Sequence, residues 1–253
     1  MAAKSIVIVS GAHHVPAHYE RVATALRNAG YSVQVPPLPS MHDPAGVKNF
    51  DPDVKAVRDA VEEELGKGND VVVHAHSYGG APASQALKGL SKADREKEGL
   101  KNGVIKLCYL SAFLYAEGTG FSTFYPDLIK QNWSVSPSGF HTESKESAIG
   151  RFYNKQTEAE QERACSLLRP ISFATFESLA TYAAWKYIPT TYIFCENDHS
   201  MPGGTWESMI APEKGVCELE VVRCDGDHSP FLDRPEWVAK VVRKVAGEDG
   251  IEL

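Results

Sequence analysis

The chain has 253 residues, a formal net charge of −7 and an apolar content of 43%, enough for one sizeable core. The negative balance argues against a polyanion-binding surface, so neither nucleic acid nor an acidic membrane is an expected partner. Five cysteines, odd in number and without C-x-x-C spacing, read as reduced structural thiols of an intracellular, cytoplasmic protein. No signal-peptide pattern opens the chain and no apolar run is long enough to span a bilayer.

Ser5-Ile-Val-Ile-Val9 is an uninterrupted apolar run, as expected for a strand buried on both faces of a parallel sheet. It ends at Ser10-Gly11-Ala12-His13-His14. Helical spacing follows through Tyr19, Val22, Ala23 and Leu26 and stops at Gly30, a C-terminal cap. Tyr31 to Val35 reads as a second strand, Pro36 to Phe50 as a loop, and Asp53 to Leu65 as a helix with an acidic start. Val71 to His74 is a buried strand that runs through Ala75-His76-Ser77-Tyr78-Gly79 into a helix from Ala81. Ser91 to Asn102 is a charged, exposed connection, and Val104 to Leu110 a fourth strand. From Ser111 to Trp185 no clear buried strand stands out. Four helices are expected there, over Phe121–Lys130, Glu143–Tyr153, Thr157–Leu168 and Ser172–Ala184, and they are rich in aromatics. Alternation then resumes with a strand over Thr190–Cys195, a short helix over Thr205–Ile210, a strand over Cys217–Arg223 and a closing helix over Arg234–Ala246, with Pro235 in its first turn. Strands alternating with helices imply an α/β fold. Its mostly parallel sheet of about six strands carries helices on both faces, with a core from 1–112 and 186–253 and an inserted helical cap from 113–185.

Ligands of such sheets sit at the C-terminal ends of the strands. Ser77 follows the third strand, Asp198 the fifth and His228 the sixth. A strand, a sharp turn with a central serine and a helix start are what a nucleophile elbow requires, with small residues at 75 and 79 letting the turn close. A serine hydroxyl is too weakly acidic to attack unaided, so His228 is the expected base and an aspartate the orienter. Asp225 and Asp227 compete with Asp198 for that role. Asp227 adjoins His228, where its side chain should diverge from the ring, which favours Asp198. The backbone N–H groups of Tyr78 and Ala12 are the expected oxyanion donors, each worth about 3 kcal/mol. Pocket candidates are Gly11, His13, His76, Phe113, Tyr125, Trp133 and Ser229. The histidines at 13, 14 and 18, and the pair at 74 and 76, have no cysteine or carboxylate at ligand spacing. They read as structural or pocket-lining, and no metal or cofactor is expected. Cys108 reads as core.

On these residues the chain resembles the α/β-hydrolase superfamily, and within it the plant methylesterase and hydroxynitrile lyase group and its microbial relatives. The match covers nearly the whole chain: Gly11-Ala12, Leu26-Arg-Asn-Ala-Gly-Tyr31, His76-Ser-Tyr-Gly-Gly80, Leu167-Leu-Arg-Pro170, Ala184-Trp-Lys-Tyr-Ile-Pro189, Cys195-Glu-Asn-Asp-His-Ser-Met-Pro202 and Gly226-Asp-His228. Family members usually carry His where this chain has Ser10. The resembling lyases carry Thr at position 11 and Lys at position 229, where this chain has Gly11 and Ser229; both differences point toward ester chemistry. The short N-terminus implies a sheet without the first two strands of larger superfamily members. The resemblance implies a cofactor-free serine esterase or lactonase acting on a small, largely apolar metabolite, often as a dimer. Two other readings stand beside it: a lyase, retro-aldol or cyclisation enzyme on the same site, and a hydrolase-fold receptor for a small molecule.

Overall fold

The computed structural model describes residues 3–43, 45–127, 135–201, 204–211 and 219–253. Its main sheet is built from β1 (Lys4–Val9), β2 (Ser32–Gln34), β3 (Asp70–His76), β4 (Val104–Leu110), β7 (Thr190–Cys195) and β8 (Leu219–Cys224). The order is β2-β1-β3-β4-β7-β8 and every pairing is parallel. A separate antiparallel pair joins β5 (Phe140–His141) to β6 (Ile171–Ser172).

Alternation along the central strands feeds two cores, which is why Ile6–Val9 and Val71–Val73 are apolar at every position. Val7, Val9, Val71 and Val73 pack on one face, with Val57, Val61 and Leu65 of α3 (Asp51–Gly66) and Ala83 of α4 (Gly80–Ala86). Ile6, Ile8 and Val72 pack on the other, with Val22 and Leu26 of α1 (Glu20–Asn28) and with Val238 and Val242 of the helix Pro235–Val245. Each such aliphatic side chain withdrawn from water contributes roughly 1.5–3 kcal/mol.

Register decides what emerges together. β1 and β3 run in step from Lys4 opposite Asp70 to Val9 opposite Ala75. The Gly11 loop and Ser77 therefore leave the sheet side by side, at the point where strand order reverses and ligand crevices form. β7 and β8 run in step from Thr190 opposite Leu219 to Cys195 opposite Cys224, which brings out the Asp198 and His228 loops as a second adjacent pair. A Cβ on Gly79 would stand 2.5 Å from Ser10 O, so only glycine lets α4 start this close to the end of β1.

The segment between β4 and β7 departs most from the expectations. Its helices Lys145–Phe152 and Glu158–Leu167 fall where helical spacing placed them. The expected helix at 121–130 is present as α6 (Phe121–Phe124), and 128–130 lie outside the described residues. Residues Ser172–Ala184 are not an α-helix. The chain there enters β6, makes a 3-10 turn over Phe173–Glu177 and then runs against 118–120. The Gly118 N–H donates to Ala180 O and the Ala180 N–H to Thr119 O, both at 2.8 Å. Long-range pairing overrides a spacing of Phe173, Phe176 and Ala180 that mimics a helix face. Short helices α2 (Pro39–His42) and α5 (Lys92–Lys97) also stand where a loop and a connection were expected. The last strand is Leu219–Cys224 rather than Cys217–Arg223, with 217 and 218 outside the described residues. Cys108, Cys165, Cys195 and Cys224 are free thiols. Among the described residues no helix is long and apolar enough to cross a membrane.

Candidate active site

Ser77 stands directly after β3 with φ at 51°, a left-handed conformation that costs a non-glycine residue energy and persists only where the surroundings enforce it. Here the Phe113 N–H holds Ser77 O at 3.0 Å. On the next residue, the buried Tyr78 hydroxyl donates to Asp53 Oδ2 at 2.6 Å, while Asp53 Oδ1 accepts from the Ser40 N–H at 2.8 Å. Burial raises the Asp53 pKa above its ordinary value. The turn is thus clamped at the serine's own carbonyl and at the residue that follows it.

His228 is buried, and its Nδ1 lies 2.8 Å from Asp198 Oδ2. The other Asp198 oxygen accepts from the Ser200 and Met201 N–H groups at 2.7 and 2.8 Å, which fixes the carboxylate plane. Since a carboxylate accepts, His228 Nδ1 carries the proton and Nε2 presents the lone pair. That nitrogen is buried with no hydrogen-bond partner, so the link to the Ser77 hydroxyl is open in this structure. The competing aspartates have other tasks. Asp227 accepts from the Lys155 N–H, the Gln156 side chain and the Ser229 N–H, latching the β8 loop to the β4–β7 excursion. Asp225 is exposed and pairs with Lys155 at 2.7 Å.

A chain of hydrogen bonds ties these loops together. The Gly11 N–H donates to Tyr19 Oη at 2.9 Å, the Tyr19 hydroxyl donates to His76 Nδ1 at 2.8 Å, and His76 Nε2–H donates to His228 O at 2.9 Å. The carbonyl at one end fixes the proton on His76 Nε2, and that fixes every donor upstream. His14 forms a parallel link, with Nδ1–H on Ala12 O at 2.7 Å and Nε2 accepting from the Tyr153 hydroxyl at 3.0 Å. Burial drives both rings well below the ordinary histidine pKa, so both are neutral. A Cβ at Gly11 would stand 2.6 Å from His76 Nδ1 and 3.0 Å from Ser77 Cβ. The chain's glycine at 11 is therefore a condition of this network. The Ala12 and Tyr78 N–H groups have no acceptor among the described residues.

Ala12, His13, Ser77 and Tyr78 form one side of a cavity of about 40 Å³. Phe113, Phe121, Tyr125, Phe152 and Phe176 form its apolar wall. Glu143, Arg151 and Ser200 form a polar corner, in which Arg151 lies 3.3 Å from Glu143 and 3.4 Å from Ser200 Oγ. His13 Nδ1 donates to Arg169 O at 2.8 Å and its Nε2 lies 3.1 Å from His141 Nδ1. Burial lowers the His13 pKa to about 3.

Of the pocket residues expected from sequence, His13, Phe113 and Tyr125 line the cavity. Gly11, His76 and Ser229 are not among its lining residues: His76 is held beneath Gly11 by Tyr19 and His228, and Ser229 is fully buried beside Asp227. Trp133 lies outside the described residues. Sequence reasoning missed Tyr19 as the hub of the network, along with His141, Glu143, Arg151 and Ser200. Their partners are distant in sequence and carry no local motif.

A strained serine turn and a buried His–Asp pair at the strand ends of a parallel six-stranded sheet define a hydrolase of the alpha/beta type. The chain belongs to the alpha/beta hydrolase family, whose model matches residues 6–241. It is 30% identical over 254 residues to the alpha/beta hydrolase nvfD of Aspergillus novofumigatus, covering 98% of each chain. In fold it is similar to a pyrethroid hydrolase from Sphingobium faniae JZ-2, with a TM-score of 0.78 and 22% identity over 98% of this chain and 99% of that one. The methylesterase MES16 from Arabidopsis is similar too, with a TM-score of 0.74 and 17% identity over 96% and 99% of the two chains.

Proposed function

We propose that the protein is a serine hydrolase that cleaves an ester or lactone of a small, largely apolar molecule through an acyl-enzyme. Ser77 attacks the carbonyl, and His228 Nε2 takes the hydroxyl proton and returns it to the leaving alcohol. Asp198 stabilises the imidazolium. The Ala12 and Tyr78 N–H groups receive the oxyanion. Water activated by His228 then releases the acid. The observation that carries this reading is the His228 ring, with Nδ1 engaged by Asp198 and Nε2 buried yet unpartnered. A buried nitrogen without a partner is costly, and a base awaiting the Ser77 hydroxyl accounts for it. The aromatic wall supports an apolar acyl or alcohol group, and the names hydrolase and methylesterase among the similar proteins agree with this chemistry.

A fluorophosphonate probe with peptide mapping tests the assignment. Ser77 is expected to be labelled in the wild type and not in His228→Ala. A folded wild type that stays unlabelled, or labelling that ignores His228, would refute it.

A further inference from the structure

We propose that His13, His141 and Glu143 form a binding site for a divalent transition-metal ion of the zinc class, set in the cavity wall beside Ser77. Their ligand atoms all lie within 4.8 Å of one another. His13 Nδ1–H is committed to the Arg169 carbonyl at 2.8 Å. Its Nε2 therefore presents a lone pair, oriented by a backbone acceptor on the far nitrogen, as metal-bound imidazoles usually are. His141 Nδ1 lies 3.1 Å from that lone pair. Two nitrogens bound at 2.0–2.1 Å to a tetrahedral ion lie about 3.3 Å apart, so the pair is set almost to ligand spacing.

The scaffold is fixed on both sides. The Arg169 N–H donates to His13 O at 3.0 Å, and His141 pairs with Ile171 in the β5–β6 ladder. Glu143 follows two residues later, with a side chain only 4% exposed, and supplies the anionic ligand. Two imidazoles and a carboxylate suit zinc and its neighbours in the series. Binding removes the proton from His141 Nδ1, either to the other ring nitrogen or to solvent, and it displaces Arg151, whose contact with Glu143 is a single one at 3.3 Å.

His13 and Glu143 both line the cavity that holds Ser77. An ion there takes space from the substrate; this consequence, unlike the site itself, rests on the hydrolase reading above. Histidine spacing in the sequence gives no sign of such a site, because the partners of His13 come from more than a hundred residues away.

The test is calorimetric titration of the metal-stripped full chain with Zn²⁺, with a Co²⁺ absorption spectrum reporting coordination. One equivalent is expected to bind. Glu143→Gln and His141→Ala should each weaken binding by at least the 10- to 100-fold typical of losing a mere supporting group. Arg151→Gln, which removes a competing cation, should tighten it several-fold. Thermal melts establish that the variants are folded, and Glu143→Gln is close to isosteric. No stoichiometric binding at millimolar Zn²⁺, or binding indifferent to Glu143→Gln and His141→Ala, overturns the site. Fluorophosphonate labelling separates the two proposals. Zn²⁺ should slow labelling of Ser77 in the wild type and not in His141→Ala. Unslowed labelling of zinc-bound protein overturns the occlusion, whereas absent labelling of metal-free protein counts against the serine reading and leaves the titration standing.

Discussion

The floor and the wall of the cavity are built by different means. In the floor, Gly11, Tyr19, His76, His228 and Asp198 are joined by directional hydrogen bonds of 2.8–2.9 Å, each donor assigned by its neighbour. In the wall, rings meet without direction, as with Phe121 and Tyr125 at 4.8 Å and Phe121 and Phe176 at 5.0 Å. Its polar corner is held by contacts of 3.3 and 3.4 Å. Reacting groups must be held to fractions of an ångström, and short bonds to buried partners do that. A surface that receives an apolar molecule needs shape and the capacity to yield. Damage to the floor should therefore act on the chemical step, and damage to the wall on binding.

The largest effects test the floor at its reacting end. Ser77→Ala and His228→Ala should each lower kcat on the order of 10⁶-fold, and the double variant should be scarcely worse, because the two act as one unit. Asp198→Asn should cost on the order of 10⁴-fold, since the amide leaves geometry nearly intact but favours the wrong imidazole tautomer. Steady-state kinetics with unchanged thermal melts would show that the loss is chemical. An Asp198→Asn enzyme within tenfold of wild type would remove Asp198 from the mechanism. By contrast, Phe176→Leu in the wall should raise KM and leave kcat within a few-fold, and a collapse of kcat there would erase the distinction between the two regions.

The next test cuts the network away from the reacting atoms. Tyr19→Phe keeps the ring, which stacks on Phe231 at 4.5 Å, but strips the partner from the Gly11 N–H and from His76 Nδ1. Each orphaned buried group costs about 1–3 kcal/mol, so a Tm drop on the order of 10 °C is expected for a chain of this size. Activity should fall as well, since the Gly11 loop beside Ser77 loses its tether. An unchanged Tm would mean that Tyr19 packs and does not tie.

How much of this was legible in the sequence follows the same division. The residues proposed to react stand at the ends of apolar runs, so the positions of Ser77, Asp198 and His228 at the strand ends could be read once the strands were counted. The six-stranded parallel sheet followed from the same runs. Tyr19 could not be recognised as a hub, because its spacing with Val22, Ala23 and Leu26 already explained it as a helix-face residue. In the wall, the spacing of Phe173, Phe176 and Ala180 imitates a helix. What decides that segment is its backbone pairing with residues 118–120, more than fifty positions earlier, which no local pattern encodes. His13 is the instructive middle case. Its place in the cavity was readable from the loop after β1, but its neighbours His141 and Glu143 were not.

The smallest expected effect concerns the ground beneath the floor. His74, inside β3, donates Nδ1–H to Cys108 O at 3.1 Å, and its Nε2 is buried without a partner. Protonation would add a charge and a donor with nowhere to go. Burial accordingly lowers its pKa from 6.5 to about 4. Below pH 6.5 the unfolded chain takes up this proton and the folded chain does not. The contribution of a neutral His74 is thus complete above 6.5 and is lost progressively as pH falls toward 4, reaching about 3 kcal/mol in all. His18, lowered to about 4, and His13, lowered to about 3, bend the curve the same way. Tm of the wild type should fall steadily between pH 6.5 and 4, and His74→Leu should flatten that fall by about one proton's worth of slope. The carboxylates contribute equally to both proteins, so the difference between the two curves isolates the imidazole. Parallel curves would mean that His74 takes up its proton in the folded state, and that the base of the sheet beneath Ser77 tolerates a buried charge.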